Sequence, residues 1–208
     1  MDMMDNLLGK NIVLIDFMGV GKTTVGNLLS KKLGRGFFDC DDIIMERCAM
    51  KIKDIFKIYG EKYFREMEKG VLAELSERKG VVIATGGGAV LNPENIEKLK
   101  INGLLVRLKA SPWKIMSNIS GYAESQSCDS RPLLDEGDKL GNMLRLMHER
   151  EGLYRCCHYE LFTDPFSAEE VSAIITQYLS EGHFSKKRSK ESKYHGYSIE
   201  PNHSWLPF

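Results

Sequence analysis

The chain has 208 residues, 42% of them hydrophobic, and 29 Lys and Arg balance 29 Asp and Glu. That length suits one domain with a sizeable core. A formal net charge of zero provides no field to gather nucleic acid or an anionic membrane surface, and no apolar run approaches a membrane span. The start, Met1-Asp2-Met3-Met4-Asp5, has neither the basic head of a signal peptide nor the Arg/Ser-rich character of a transit peptide. Cys40, Cys48, Cys128, Cys156 and Cys157 are odd in number and lack metal-type spacing, and the five histidines do not cluster. Reduced thiols and a cytoplasmic location are the expectation.

In chain order, Asn11 to Ile15 is a short β-branched apolar run and predicts a buried strand. The loop Asp16 to Gly21 follows, then Lys22-Thr23-Thr24 opens an amphipathic helix from Val25 to Leu33. Gly34 and Gly36 break that helix, and Phe37 to Asp41 predicts a second strand. Ile43 to Cys48 and Ile52 to Tyr59 read as short helical pieces, the second closed by Gly60. A longer helix spans Glu61 to Arg78, with Phe64, Met67, Val71, Leu72 and Leu75 at helical spacing. Val81 to Thr85 is a continuous apolar run typical of a parallel strand, ending in Gly86-Gly87-Gly88.

Asn92-Pro93 supplies an N-cap and first residue for a helix to Asn102. Leu104 to Leu108 is the fourth strand, and Ser111-Pro112 starts another helix. Residues 120–137 lose periodicity and predict a mobile, lid-like loop. Leu140 to Tyr154 is helical, Tyr159 to Thr163 a last strand, and Ser167 to Glu170 a capping box for a helix ending near Ser180. Strands alternating with helices predict an α/β fold, a parallel sheet with helices on both faces. Residues 1–180 form the expected domain; 181–208, with Lys186-Lys187-Arg188, reads as a polar, basic, disordered tail.

Strand, Gly-rich loop and helix in that order are the setting of a phosphate-binding P-loop. Gly19 and Gly21, flanking Val20, let successive backbone N–H groups face inward at a helix N-terminus, a nest for anions. Lys22 would reach the β- and γ-phosphates, the Thr23 hydroxyl would hold Mg²⁺, and Thr24 continues the cradle. The competing reading is a Gly-rich turn with an exposed Lys. The remaining signals are weaker one by one. Asp39 and Asp41, two apart on an expected strand, would share a face at the carboxyl end of the sheet, where open α/β sheets bind ligands. Gly86 to Gly88 is either a flexible turn or a place of close backbone approach. Arg65, Arg131 and Arg150 are each surface arginines by default.

Taken together, these stretches resemble the shikimate kinase family. The resemblance rests on Gly19-Val20-Gly21-Lys22-Thr23, Phe38 to Asp41, Gly60 to Arg65 with Glu68, Thr85 to Gly88, Arg131 to Leu134, and Glu149-Arg150 with Leu153-Tyr154. It covers about residues 10–180, and six motifs in order and spacing are specific. It implies a P-loop kinase architecture, a three-layer α/β/α fold with a five-stranded parallel sheet, a substrate-binding helical segment and a lid. The activity it implies is transfer of the ATP γ-phosphoryl to the 3-hydroxyl of shikimate, by a cytoplasmic monomer with Mg²⁺. By the same resemblance Asp41 binds the substrate hydroxyls and acts as or positions the base, and Asp39 supports Mg²⁺ through water. Arg65 and Arg150 clamp the substrate carboxylate, Gly87 and Gly88 approach the substrate with backbone N–H, and Arg131 closes with the lid onto the phosphates.

The departures from that family lie on the nucleotide side or the periphery. Asp16 stands where the loop pattern has glycine, six residues before Lys22. An ionised carboxylate ~5–6 Å from a phosphate charge would be repelled by about 3 kcal/mol at an effective dielectric near 20, so weakened ATP binding is expected. The other possibility is that Asp16 turns away to a cation or a backbone N–H. Met45 replaces a glutamate, Asn118 takes the place of an arginine that stacks on adenine, and Ala168 that of an adenine-contacting proline. The lid is longer than usual, with Glu124 and Asp129 and no Lys or Arg before Arg131. Poor discrimination between ATP and GTP is expected. Phosphorylation of another small polyol acid such as gluconate, or a non-catalytic ligand-sensing role, are the alternatives.

Overall fold

The computed structural model describes residues 9–125 and 138–181. Five parallel strands, β1 (Asn11–Ile15), β2 (Phe37–Asp39), β3 (Val82–Ala84), β4 (Gly103–Lys109) and β5 (Tyr159–Phe162), lie in the order β2-β3-β1-β4-β5. Seven α-helices connect or flank them among the described residues: α1 (Lys22–Leu33), α2 (Cys40–Cys48), α3 (Ile52–Glu77), α4 (Pro93–Asn102), α5 (Pro112–Ser125), α6 (Lys139–Glu151) and α7 (Ala168–Ser180).

β1 is central because every one of its residues is buried, as a strand covered on both faces must be. Its side chains alternate between two cores. Ile12 and Leu14 meet Val25 and Leu29 of α1 and Val171 and Ile175 of α7. Val13 and Ile15 meet Ile44 of α2, Leu72 of α3 and Leu99 of α4. Each fully buried aliphatic side chain contributes roughly 1.5–3 kcal/mol. The three-layer arrangement expected from the sequence is thus present. The chain leaves β1 toward β2, and only later fills the other side with β4. The strand order therefore reverses at the carboxyl end of β1, where a ligand crevice opens.

The local signals hold at most boundaries. Asn92 caps α4 by accepting from Glu94 N–H at 3.0 Å with Pro93 next, and Ser167 and Glu170 form the reciprocal capping box of α7. Gly60, at φ 81° and ψ 168°, interrupts α3 where the sequence placed a break. Three boundaries differ, the first being that the helix expected to reach Tyr154 stops at Glu151, before a 3₁₀ turn over Leu153–Cys156. The second strand stops at Asp39, and Asp41 belongs to the first turn of α2. Residues 120–125, expected in the lid loop, continue α5; the rest of that segment, including Arg131, and the tail 182–208 lie outside the described residues.

Candidate active site

The phosphate loop runs from the end of β1 into α1. Gly19 and Gly21 have φ of 80° and 92°, a left-handed conformation that side chains rarely adopt. Gly19 is doubly constrained, because a Cβ there would lie 2.9 Å from Ile119 Cγ1 on α5. Asn118, one residue earlier, donates from Nδ2 to Gly19 O at 2.8 Å and so ties α5 to the loop. Gly21 caps α1 with no side-chain hydrogen bond, leaving the helix amides and their positive dipole end for an anion. Lys22 is buried, and its Nζ donates to Asp16 O at 2.9 Å and Phe17 O at 2.7 Å.

Thr23 and Asp39 meet although 16 residues separate them: Thr23 Oγ1 donates to Asp39 Oδ2 at 2.7 Å. The other carboxylate oxygen of Asp39 accepts from Asp41 N–H at 3.0 Å, which makes Asp39 the N-cap of α2. Asp39 and Asp41 are therefore brought together by a helix cap, not by strand alternation as the spacing suggested. An acidic N-cap followed by Asp41 and Asp42 in the first turn favours the helix through its dipole, which outweighs continuation of the strand. Thr23 and Asp39 offer hard oxygen donors. Such a pair suits Mg²⁺, which takes few protein ligands and fills its shell with phosphates and water. No cluster of three or more His, Cys, Asp or Glu side chains placed to hold a metal occurs among the described residues.

Across the crevice, Arg65 on α3 donates from Nε and Nη2 to Glu61 at 3.1 and 2.9 Å, and from Nη1 to Glu68 Oε2 at 2.9 Å. Arg150, buried near the end of α6, donates to Gly87 O at 3.2 Å, and Tyr154 Oη donates to the same oxygen at 2.7 Å. A Cβ on Gly88 would run into the Arg65 guanidinium, and one on Gly86 into Glu68 Oε1 and Asp41 Oδ1. Those two oxygens are buried and have no hydrogen-bond partner. Orphaned buried acceptors are uncommon and call for an explanation. Burial first, then the charges of Asp39 and Glu68, push the Asp41 carboxyl up to about 7. Burial likewise raises the Glu68 carboxyl, against the pull of Arg65. The cluster can thus accept donors from a ligand and hold a proton near neutrality.

Asp16, the misfit of the loop, turns away from the crevice. Its Oδ1 accepts from Phe17 N–H at 2.5 Å, and its Oδ2 accepts from Arg107 Nε. The expected repulsion is corrected accordingly: the carboxylate faces a guanidinium, and the second of the two possibilities holds. The backbone at Asp16 has φ 141°, in the region that favours glycine, so the ion pair holds a conformation unfavourable for aspartate. Arg107 also donates to Glu160 Oε2 at 2.7 Å and to both oxygens of Glu151, at 3.2 and 2.5 Å. Burial works against its charge, but Glu151 and Asp16 outweigh that and raise its pKa further. Arg107 and then Lys109 hold the Glu151 carboxyl down to about 2.

These residues line the same end of the sheet: the loop after β1, the cap after β2 and the glycines after β3. The family model described as shikimate kinase matches residues 18–180. The chain belongs to the shikimate kinase family. The shikimate kinase of Caldicellulosiruptor saccharolyticus is 46% identical over 166 residues, 80% of this chain and 93% of that protein. That of Geobacter sulfurreducens is 40% identical over 173 residues, 83% of this chain and 92% of its own. A solved shikimate kinase from Acinetobacter baumannii, in complex with shikimate, superposes with a TM-score of 0.78 at 34% identity, covering 86% of this chain and 98% of that one.

For this shikimate kinase family member, sequence reasoning missed Arg107, Glu151 and Glu160. A signal was available. Arg107 interrupts the apolar run Leu104-Leu105-Val106 to Leu108, and a charge inside a buried strand needs a partner. Tyr154 and Glu68 lie in the stretches that carry the family resemblance, with no individual role read for them from the sequence. Lys22 is buried under its own loop, which is not the exposed Lys of the competing reading.

Proposed function

We propose that the chain transfers the γ-phosphoryl group of ATP to the 3-hydroxyl of shikimate. What carries the reading is the convergence of Asp41, Arg65 and Arg150 on the glycine turn 86–88, beside a phosphate loop of matching type. In this reading the amides of Gly19 to Thr24 cradle the phosphates and Lys22 exchanges its loop carbonyls for β- and γ-phosphate oxygens. Thr23 and Asp39 would hold Mg²⁺. Bound there, Mg²⁺ offsets negative charge on the β- and γ-phosphates. Asn118 lies on the adenine side.

Arg65 and Arg150 clamp the shikimate carboxylate, where a planar fork matches two oxygens. The amides of Gly87 and Gly88 approach the ring. Asp41 accepts a hydrogen bond from the 3-hydroxyl, which explains its orphaned buried oxygen. The hydroxyl oxygen bonds to the γ-phosphorus as the bond to the β,γ-bridging oxygen breaks, ADP leaves, and the hydroxyl proton passes to Asp41. A carboxyl held near 7 suits proton transfer at neutral pH. Arg131, outside the described residues, is assigned stabilisation of the transferring charge by the family resemblance alone.

The test is a coupled ADP-release assay with Mg²⁺ and ATP, offering shikimate or gluconate. Turnover with shikimate, its loss in EDTA and none with gluconate is the expected result. Gluconate turnover, or shikimate inert at millimolar concentration, would overturn it.

A further inference from the structure

Arg107 binds two regions that the reaction needs to hold in a fixed relation. It stands on β4, between β1 and β5, paired in register with Ile15 of β1 and Glu160 of β5. It is 2% exposed, and each of its three guanidinium nitrogens donates to a carboxylate. A charge so placed is expensive to bury and is retained only in good geometry.

On one side the guanidinium reaches Asp16. The Asp16 and Phe17 carbonyls are the ones that Lys22 grips, and the Asp16 carboxylate fixes the Phe17 amide between them. The first residue of the phosphate loop is thus tied to β4, although the backbone there favours glycine. On the other side the fork holds both oxygens of Glu151, the last residue of α6. The residue before it is Arg150. Tyr154, which shares the Gly87 carbonyl with Arg150, lays its ring 5.0 Å from the Arg107 guanidinium carbon. Arg107 joins Asp16 to Glu151 through its guanidinium, and Lys109 Nζ also donates to Glu151, at 2.9 Å.

We propose that Arg107 is a positioning residue for both substrates: through Asp16 it sets the phosphate loop, and through Glu151 it sets Arg150. The assignment of the two ends rests on the function proposed above. Nothing in Arg107 contacts the reacting atoms, and it acts through two carboxylates that lead to opposite walls of the crevice. The interaction is fork-specific. A lysine would keep the charge but present no planar pair of donors to Glu151 while reaching Asp16 with a third.

Calorimetric titration of the full chain with Mg-ADP and, separately, with shikimate reads the two arms independently. Asp16→Asn removes the charge of one arm and should weaken Mg-ADP at least fivefold with shikimate within twofold. Glu151→Gln should weaken shikimate at least fivefold with Mg-ADP within twofold. Arg107→Lys, chosen because Arg107→Met would leave the buried Asp16 carboxylate without its cation, should weaken both. Unchanged dissociation constants in Arg107→Lys, with only a lower melting temperature, would reduce Arg107 to a stability element and overturn the proposal. So would equal loss of both affinities in either single-arm variant, or tighter Mg-ADP binding by Asp16→Asn. A failure of the proposed function shows instead in the parent chain, as Mg-ADP binding without shikimate binding; the Asp16 arm is then decided by Mg-ADP alone.

Discussion

Gly87 and Gly88 are adjacent, yet an added methyl group meets different matter at each. Neither has positive φ, so alanine is allowed by the backbone at both, and the cost is one of space. At Gly87 the new Cβ would lie 2.8 Å from Met18 N and 3.3 Å from Phe17 C, backbone atoms of the phosphate loop. Reaching ordinary contact needs a shift of about 0.6 Å between two packed main chains, and overpacking of that kind costs ~1–3 kcal/mol. The move also strains the Gly87 carbonyl's bonds from Arg150 and Tyr154, worth ~1 kcal/mol or more together. We expect Gly87→Ala to lose about 2–4 kcal/mol, a melting temperature lower by roughly 5–12 °C for a chain of this size. At Gly88 the Cβ meets only the Arg65 guanidinium, the end of a flexible side chain. Gly88→Ala should therefore cost less than Gly87→Ala, roughly 1–2 kcal/mol for the disturbed Arg65–Glu68 pair, while weakening shikimate binding about tenfold. Thermal denaturation and shikimate titration of both variants read this out. Equal destabilisation at the two positions, or unaltered shikimate affinity in Gly88→Ala, would refute the reasoning.

Lys22→Ala should lower turnover ~10²-fold or more, since a charge-assisted contact to the transferring group is lost. Because Lys22 is buried on two loop carbonyls, the melting temperature should fall as well; activity per folded molecule equal to the parent's would exclude a phosphate-binding role. Replacing Arg65 or Arg150 by Lys should weaken shikimate by roughly 2–5 kcal/mol and ATP far less, checked by titration with each. In EDTA and without ligand, the Asp41 carboxyl is shifted from 3.8 to about 7 by folding. Its raised folded value means that it contributes stability fully present below about pH 4 and lost as pH rises through 7. Asp41→Asn should accordingly stabilise the protein by ~1–3 kcal/mol at pH 8 and by less at pH 5, while removing activity. Melting curves that shift equally at both pH values would contradict this.

The sequence by itself determined what is encoded locally. The order of strands and helices, the caps at Asn92 and Ser167, the break at Gly60 and the phosphate loop all depend on residues a few positions apart, and they were legible for that reason. The family resemblance extended this to Arg65, Glu68 and Arg150, which the fold brings to one crevice. Asp41 was legible as a residue and misplaced as an element, because a short apolar run gives no sign of where the Asp39 carboxylate captures the next amide and starts a helix. The partner of Asp16 was not legible at all. Ninety-one residues separate it from Arg107, and their meeting depends on the parallel register that sets Ile15 beside Arg107. Only the tertiary structure decides such a contact, since pairing across a sheet is chosen by the burial of whole faces. The same holds for the orphaned oxygens of Asp41 and Glu68. Their lack of partners is a property of three elements meeting around Gly86, and no single stretch of chain records it.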